Sequence, residues 1–224
     1  MEKPVELGKL LADLAKFSRL VYEMRLTAGP GGNTSARLPG SRVMHLKPSG
    51  LSFAELGPED FVAVDIYTMK KVGGRLKPSS ELALHAACYR NREDVNAVFH
   101  AHPAASIALG ASGQNLDRPM YPDHVVYLGK VSFVPYVAPT TRELAEKVGR
   151  CAKRSNCVLL QNHGTVALGS SVKEAFYRTE LMEESAKIAL WSKIPGKARA
   201  LSDEDVKRIE GLRSEAYRKK VLRK

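Results

Sequence analysis

Apolar positions open the chain at helical spacing. Leu7, Leu10, Leu11, Leu14, Phe17 and Val21 recur every three or four residues, the pattern of a long amphipathic helix. It breaks at "TAGPGGN", where glycines and a proline exclude helix. The period then shortens: "NTSARL", "RVMHLKPSG" and "DFVAVDI" are β-rich, divided by turn residues, and predict strands. "SSELALHAACYRN" returns to helix, with Ser79 or Ser80 as its expected N-cap. "NAVFHAH" predicts a strand that runs into "PAASIALG", a helix with proline in its first turn. "KVSFVPY" reads as a strand, "TTRELAEKVGRCAK" as a helix, and "NCVLLQNHGTVALG" as strand, turn and strand. Ala175, Thr179, Met182, Ala186 and Ala189 mark a long helix, and "LSDEDVKRIEGLRSEAYRKKV" a last one capped by Ser202.

Strands scattered among helices, without strict alternation, predict an α/β sandwich in three layers. No repeat, low-complexity linker or boundary interrupts the pattern, so residues 1–224 are expected to form one domain with a core of its own. Composition agrees: 44% hydrophobic and 26% charged residues are ordinary for a globular protein. No apolar run approaches the roughly 18 residues of a membrane span, so no membrane partner is expected. The opening stretch carries acids through its apolar pattern and reads as a helix of the fold, not a signal peptide. Cys88, Cys151 and Cys157 form no CxxC pair and are odd in number, which predicts reduced thiols and a cytoplasmic protein.

Charge narrows the partners. Lys and Arg number 35 against 24 Asp and Glu, a formal +11. Nucleic acid, an anionic metabolite or a plainly solvated surface would each suit that balance. No RNP-type aromatic motif, zinc-finger spacing or glycine-rich basic tail accompanies it, so nucleic acid is not the expected partner and a phosphorylated small molecule is.

The chemistry gathers around "AVFHAHP". His100 and His102, one residue apart, should share one face of an extended strand. A lone HxH is often incidental, but a third histidine, His163, ends another apolar strand in "LLQNHG". Three neutral imidazoles leave a coordination position open, the arrangement of a catalytic zinc rather than a structural one. His85 lies mid-helix four residues after Glu81 and fits the core or the surroundings of the metal; His45 alternates with apolar neighbours. His124, in "YPDHVVY", is the competitor for a metal or catalytic role. Three loops add anion chemistry: "GPGGNTS" with Asn33, "LKPSGL" with Ser49 and Gly50, and "KPSSE" with Ser79 and Ser80 at a helix start. Each alone is an ordinary turn; together they predict a phosphate site. Glu81, beside that site and the histidines, is a candidate general base.

"GGNTSAR", "LKPSGL", "KPSSELALHAACYRN", "AVFHAHP", "VPY", "TRELAEKV", "QNHG" and the closing "LSDED" together resemble the class II aldolase/adducin family, which includes fuculose-phosphate aldolases and ribulose-phosphate 4-epimerases. The resemblance runs through most of the chain. It implies a central, mainly antiparallel sheet between helical layers. It also implies Zn2+ on His100, His102 and His163, one ion per subunit, and phosphate on Asn33, Ser49, Gly50, Ser79 and Ser80. Glu81 would be the acid/base residue, and a homotetramer would carry its sites at subunit interfaces. Two assisting tyrosines, one from a neighbouring subunit and one from the C-terminal tail, correspond to Tyr121 and Tyr217. The implied activity is cleavage of a phosphorylated ketose to dihydroxyacetone phosphate and a short aldehyde. Glutamate at 81 favours that branch over the epimerases, where aspartate is typical. Epimerisation, dehydration or decarboxylation on the same site are the alternatives, and an adducin-like interaction module with no catalysis is the remaining one. Lys47 stands where the family has a small hydroxyl residue, and "VAPTTREL" replaces its usual Gly-Thr loop; both bear on substrate identity.

Overall fold

The computed structural model describes residues 4–196 and 198–222. The opening helix α1 (Pro4–Glu23) buries Leu14, Ala15, Ser18 and Val21, the face that the apolar spacing predicted. Strands β1 (Asn33–Ala36), β2 (Val43–Leu46), β3 (Val62–Asp65) and β4 (Lys71–Gly73) follow, then α2 (Leu82–Asn91). Next come β5 (Ala97–Ala101), α3 (Ala104–Ala111), β6 (Val131–Val134), α4 (Arg142–Ala152), β7 (Cys157–Leu160) and β8 (Gly164–Gly169). The chain closes on α5 (Val172–Trp191), α6 (Asp203–Glu210) and α7 (Arg213–Leu222).

Among the described residues the strands form one sheet, ordered β4-β3-β2-β1-β5-β8-β7-β6. Only β6 and β7 pair in parallel; every other neighbouring pair is antiparallel. The central sheet is therefore mixed and mainly antiparallel, as expected. Alternation along each strand sends side chains to two different cores. Val98, Val158 and Val166 pack with Leu84 and Tyr89 of α2 and Val148 of α4. Ala97, Phe99 and Ala101 face the other way, onto Leu14 of α1 and Phe176 of α5. Helices α3 and α5 extend that second layer over Cys157 and Leu159 of β7. The result is the three-layer sandwich that the sequence predicted. Among the described residues, no helix is long and apolar enough to cross a membrane.

Four details depart from expectation. Strand β4 carries no buried residue, so it left no alternating apolar signal. A single π-helical turn, His124–Leu128, closes on Gly129 where no regular helix was predicted. The last helix is two helices: α6 ends at Gly211, whose N–H returns to the Lys207 carbonyl, and α7 starts two residues later. The caps also move. Glu81, not Ser79 or Ser80, is the N-cap of α2, and Pro103 is the N-cap of α3 rather than a residue of its first turn. Proline there cannot cap with a side chain, so the carboxylate of Glu183 on α5 accepts from the amides of Ala105 and Ser106 at 3.0 and 2.9 Å.

Candidate metal centre and its surroundings

β5 positions the first two histidines. His100 has the parity of Val98, so it points to the α2 layer; its partner across β1 is Asn33 and across β8 is Val166. His102 follows one residue past the strand, with its ring centroid 4.8 Å from that of His100. His163 comes from the turn between β7 and β8, where Asn162 adopts a φ of 55° and the His163 amide returns to the Leu160 carbonyl at 3.2 Å. Asparagine tolerates that left-handed backbone better than most residues. The glycines crowd the site. A Cβ on Gly31 would lie 2.9 Å from His102 Nδ1, and one on Gly32, whose φ is +71°, 2.7 Å from the His100 carbonyl.

One donor nitrogen from each of the three histidines lies within 4.8 Å of the others. His100 Nδ1 lies 2.9 Å from the Thr165 carbonyl, which only accepts, so Nδ1 carries a proton and Nε2 is the nitrogen that would offer a lone pair to a metal. That nitrogen lies 3.1 Å from His102 Nε2. Two ligands on a tetrahedral zinc, each about 2.0–2.1 Å from it, stand about 3.3 Å apart, so the spacing fits an ion between them. Burial, reinforced by the charge of His100, lowers the pKa of His102 to about 3 and that of His163 to about 4. Both rings are thus neutral at ordinary pH, the state in which imidazole binds metal.

Glu81 faces the same point. Its Oε2 is 3.2 Å from His100 Nε2 and its Oε1 3.6 Å from His163 Nε2. As the N-cap it makes no side-chain capping bond; the Ser79 hydroxyl instead accepts from the Glu81 amide at 3.3 Å. Its carboxylate is therefore available to the centre. Burial opposes its charge, but His100, the Asn33 amide and His163 hold it well below the usual carboxylate range. His100 is raised in turn, because the Glu81 carboxylate outweighs the burial of the ring.

The three loops are neighbours. Pro48 and Pro78 form a β-bridge, the Ser49 amide donates to the Lys77 carbonyl at 2.9 Å, and the Ser79 amide to the Lys47 carbonyl at 3.2 Å. Lys47 in turn donates through its amide to the Thr34 carbonyl at 2.9 Å, beside Asn33. Ser49, Gly50 and Ser80 lie exposed at this junction while Ser79 is buried. Asn33 is used differently from the expectation. Its Nδ2 donates to Glu81 Oε2 at 2.9 Å and its Oδ1 meets His85 Nε2 at 2.5 Å. His85 Nδ1 meets the Ser35 hydroxyl at 2.6 Å, and that hydroxyl meets Tyr89 OH at 2.8 Å. Sequence reading placed His85 near the centre but missed Ser35 and Tyr89; the four-residue spacing of Glu81, His85 and Tyr89 was the available signal. It also missed the burial of Lys47, whose Nζ reaches the Pro30 carbonyl at 3.3 Å and the Pro48 carbonyl at 3.4 Å.

The tyrosines stand elsewhere in the chain. Tyr121 meets the Ser185 hydroxyl at 3.2 Å and, with His124, lines a cavity of about 360 Å³ that contains none of the three histidines. Tyr217, exposed on α7, lines a separate groove of about 470 Å³ with Tyr127 and Tyr177. His124 is thus no part of the centre. Neither of these cavities is where the chemistry gathers; the donor set is.

Residues 12–190 match the family model described as the Class II Aldolase and Adducin N-terminal domain. The chain is 34% identical over 178 residues, 80% of its length and 94% of the relative's, to an L-fuculose phosphate aldolase of Methanococcus maripaludis. It is also 34% identical over 203 residues, 88% of its length and 94% of the relative's, to a 3-oxo-tetronate 4-phosphate decarboxylase of Haemophilus influenzae. Among solved structures, an L-fuculose 1-phosphate aldolase superposes with a TM-score of 0.85 at 29% identity, covering 97% of this chain and 98% of that one.

Proposed function

The chain belongs to the class II aldolase and adducin family, and from that premise we propose that it is a zinc-dependent lyase acting on a phosphorylated ketose, which it cleaves reversibly to dihydroxyacetone phosphate and a short aldehyde. The observation that carries this reading is the convergence of Glu81 on the three-histidine donor set, next to the junction of the serine loops. His100, His102 and His163 would hold the ion, which when bound supplies Lewis acidity to a carbonyl oxygen. Ser49, Gly50, Ser79 and Ser80 would hold the phosphate through hydroxyls and helix-start amides, while Asn33 is engaged with Glu81 and His85. As the carbon–carbon bond breaks, the hydroxyl one carbon beyond it passes its proton to a base and becomes the carbonyl of the departing aldehyde. The bond's electron pair becomes an enediolate, and Glu81 takes up a proton from solvent. Glu81 then places a proton on the enediolate carbon, or removes it in the condensing direction.

Tyr121 and Tyr217 would reach a centre only from a second copy of the chain, in keeping with a homotetramer whose sites lie between subunits. One cytoplasmic domain over residues 1–224 is the unit proposed. Decarboxylation is the second reading, supported by the 34% identity to the decarboxylase relative over 88% of the chain. Loss of CO₂ from a 3-oxo acid phosphate leaves the same type of enediolate for Glu81 to protonate, so the machinery is shared and only the leaving group differs.

A panel of ketose 1-phosphates and 3-oxo acid phosphates tests this, with release of dihydroxyacetone phosphate as readout. Release with an aldehyde supports the aldolase, release with CO₂ the decarboxylase, and no release from any of them contradicts both. His102→Ala should lose most bound zinc and activity while remaining folded; stoichiometric zinc in that variant would remove His102 from the ligand set.

A further inference from the structure

We infer that Tyr89, Ser35, His85 and Asn33 form a one-way chain of hydrogen bonds that fixes where the Glu81 carboxylate stands, with His85 as the positioning residue on which its direction turns. The inference rests on the reading of Glu81 as the proton-transfer group. Its starting point is a match of two repeats. Four residues along a helix rise about 6 Å, and two residues along a strand advance about 6.6–6.8 Å. Glu81, His85 and Tyr89 therefore present side chains from α2 at nearly the interval at which β1 presents Asn33 and Ser35. The two rows interleave in the order 81, 33, 85, 35, 89, with contacts of 2.9, 2.5, 2.6 and 2.8 Å. All five residues are buried.

Every proton along this row has one place to go. An ionised carboxylate only accepts, so Asn33 must turn its Nδ2 to Glu81. Its Oδ1 then faces His85, and a carbonyl oxygen also only accepts, so His85 Nε2 carries a hydrogen. Complete burial lowers the His85 pKa to about 3, so the ring is neutral and its Nδ1 is a bare lone pair. The Ser35 hydroxyl must donate to that lone pair. Its single hydrogen being spent, Ser35 accepts from Tyr89, whose phenol, pushed well above its ordinary value by burial, stays protonated. With the other tautomer at His85, Asn33 Oδ1 would meet a lone pair and its amide would turn an oxygen toward the Glu81 carboxylate.

The test has two arms. Long-range proton–nitrogen NMR on the whole protein labelled in histidine reads the tautomer directly. The expected result is a neutral His85 with its proton on Nε2; a proton on Nδ1, or a doubly protonated ring at neutral pH, would overturn the inference. This arm is independent of what the protein catalyses. An Nε2–H tautomer in a protein that neither releases dihydroxyacetone phosphate nor exchanges its protons would support the chain and refute the function proposed above. The second arm compares His85→Gln, which retains a donor toward Asn33, with His85→Leu, which does not. In zinc-loaded protein, His85→Leu should lose about 10–100-fold in kcat for proton exchange into dihydroxyacetone phosphate, with KM nearly unchanged. His85→Gln should recover most of that loss. Equal losses in the two variants, or none in His85→Leu, would contradict a positioning role. Should His85→Leu fail to fold, Ser35→Ala, which removes the donor to Nδ1 at little cost in volume, is read by the same kcat criterion.

Discussion

Lys47 is a buried cation with weak partners. The residue is 2% exposed, and its ammonium reaches two carbonyls only at 3.3 and 3.4 Å and lies 5.3 Å from the centroid of the Phe53 ring. Burial lowers its pKa from 10.5 to about 8, against the pull of Glu55. The folded state thus favours the neutral amine, and at neutral pH the charge withholds about 3 kcal/mol of stability. The unfolded chain binds the extra proton between pH 8 and 10.5, so the penalty is relieved as pH rises through that window. Urea unfolding at pH 7.5 and 9.5 should show wild type gaining on Lys47→Met; a difference independent of pH would mean that the amine is not buried in its charged form. Gly32 makes a simpler demand. Its φ of +71° and the nearby His100 carbonyl leave no room for a side chain. Gly32→Ala should cost about 1–2 kcal/mol from the left-handed backbone alone, and more from the clash, in the same unfolding measurement. Neither demand was visible in "GPGGN" or "LKPSG", which as sequence are only turns.

The turn between β7 and β8 shows what an element contributes to the site. It spans three residues, 161–163, and carries His163 at its end, so its backbone shape aims the imidazole. Asn162→Val, a β-branched residue at a φ of 55°, should lose about 1–2 kcal/mol of stability and weaken zinc binding, while Asn162→Gly should spare both. Denaturation and a zinc titration on each variant check this. Elements were legible wherever one face was buried. The apolar period of α1 and the alternation in "NAVFHAH" both reached their expected places, because burial writes periodicity into sequence. β4 was not legible, since an exposed edge strand has no face to mark. The break at Gly211 was hidden because α6 buries no residue and so gave no period to interrupt. The α2 cap was misassigned because serines before a helix normally cap it, whereas here Glu81 takes the N-cap position and turns its carboxylate to the histidines.

At the scale of the molecule, the sandwich brings residues about 130 positions apart in sequence to one point: Asn33 from one end of the sheet's centre and His163 from the other. The three histidines and Glu81 could be named from spacing and resemblance because each sits at the end of an apolar segment. The row from Tyr89 to Asn33 could not, because it exists only when α2 lies along β1. The central claim is that Glu81 moves a substrate proton at a three-histidine metal centre. Its most direct test is deuterium exchange from solvent into dihydroxyacetone phosphate, without aldehyde, by zinc-loaded wild type and Glu81→Gln. Glutamine keeps the size and hydrogen bonding of the side chain but loses the proton acceptor. The account predicts equal zinc content in the two proteins, and exchange slower by roughly 10²–10⁴ in the variant. Undiminished exchange in zinc-loaded Glu81→Gln would contradict it.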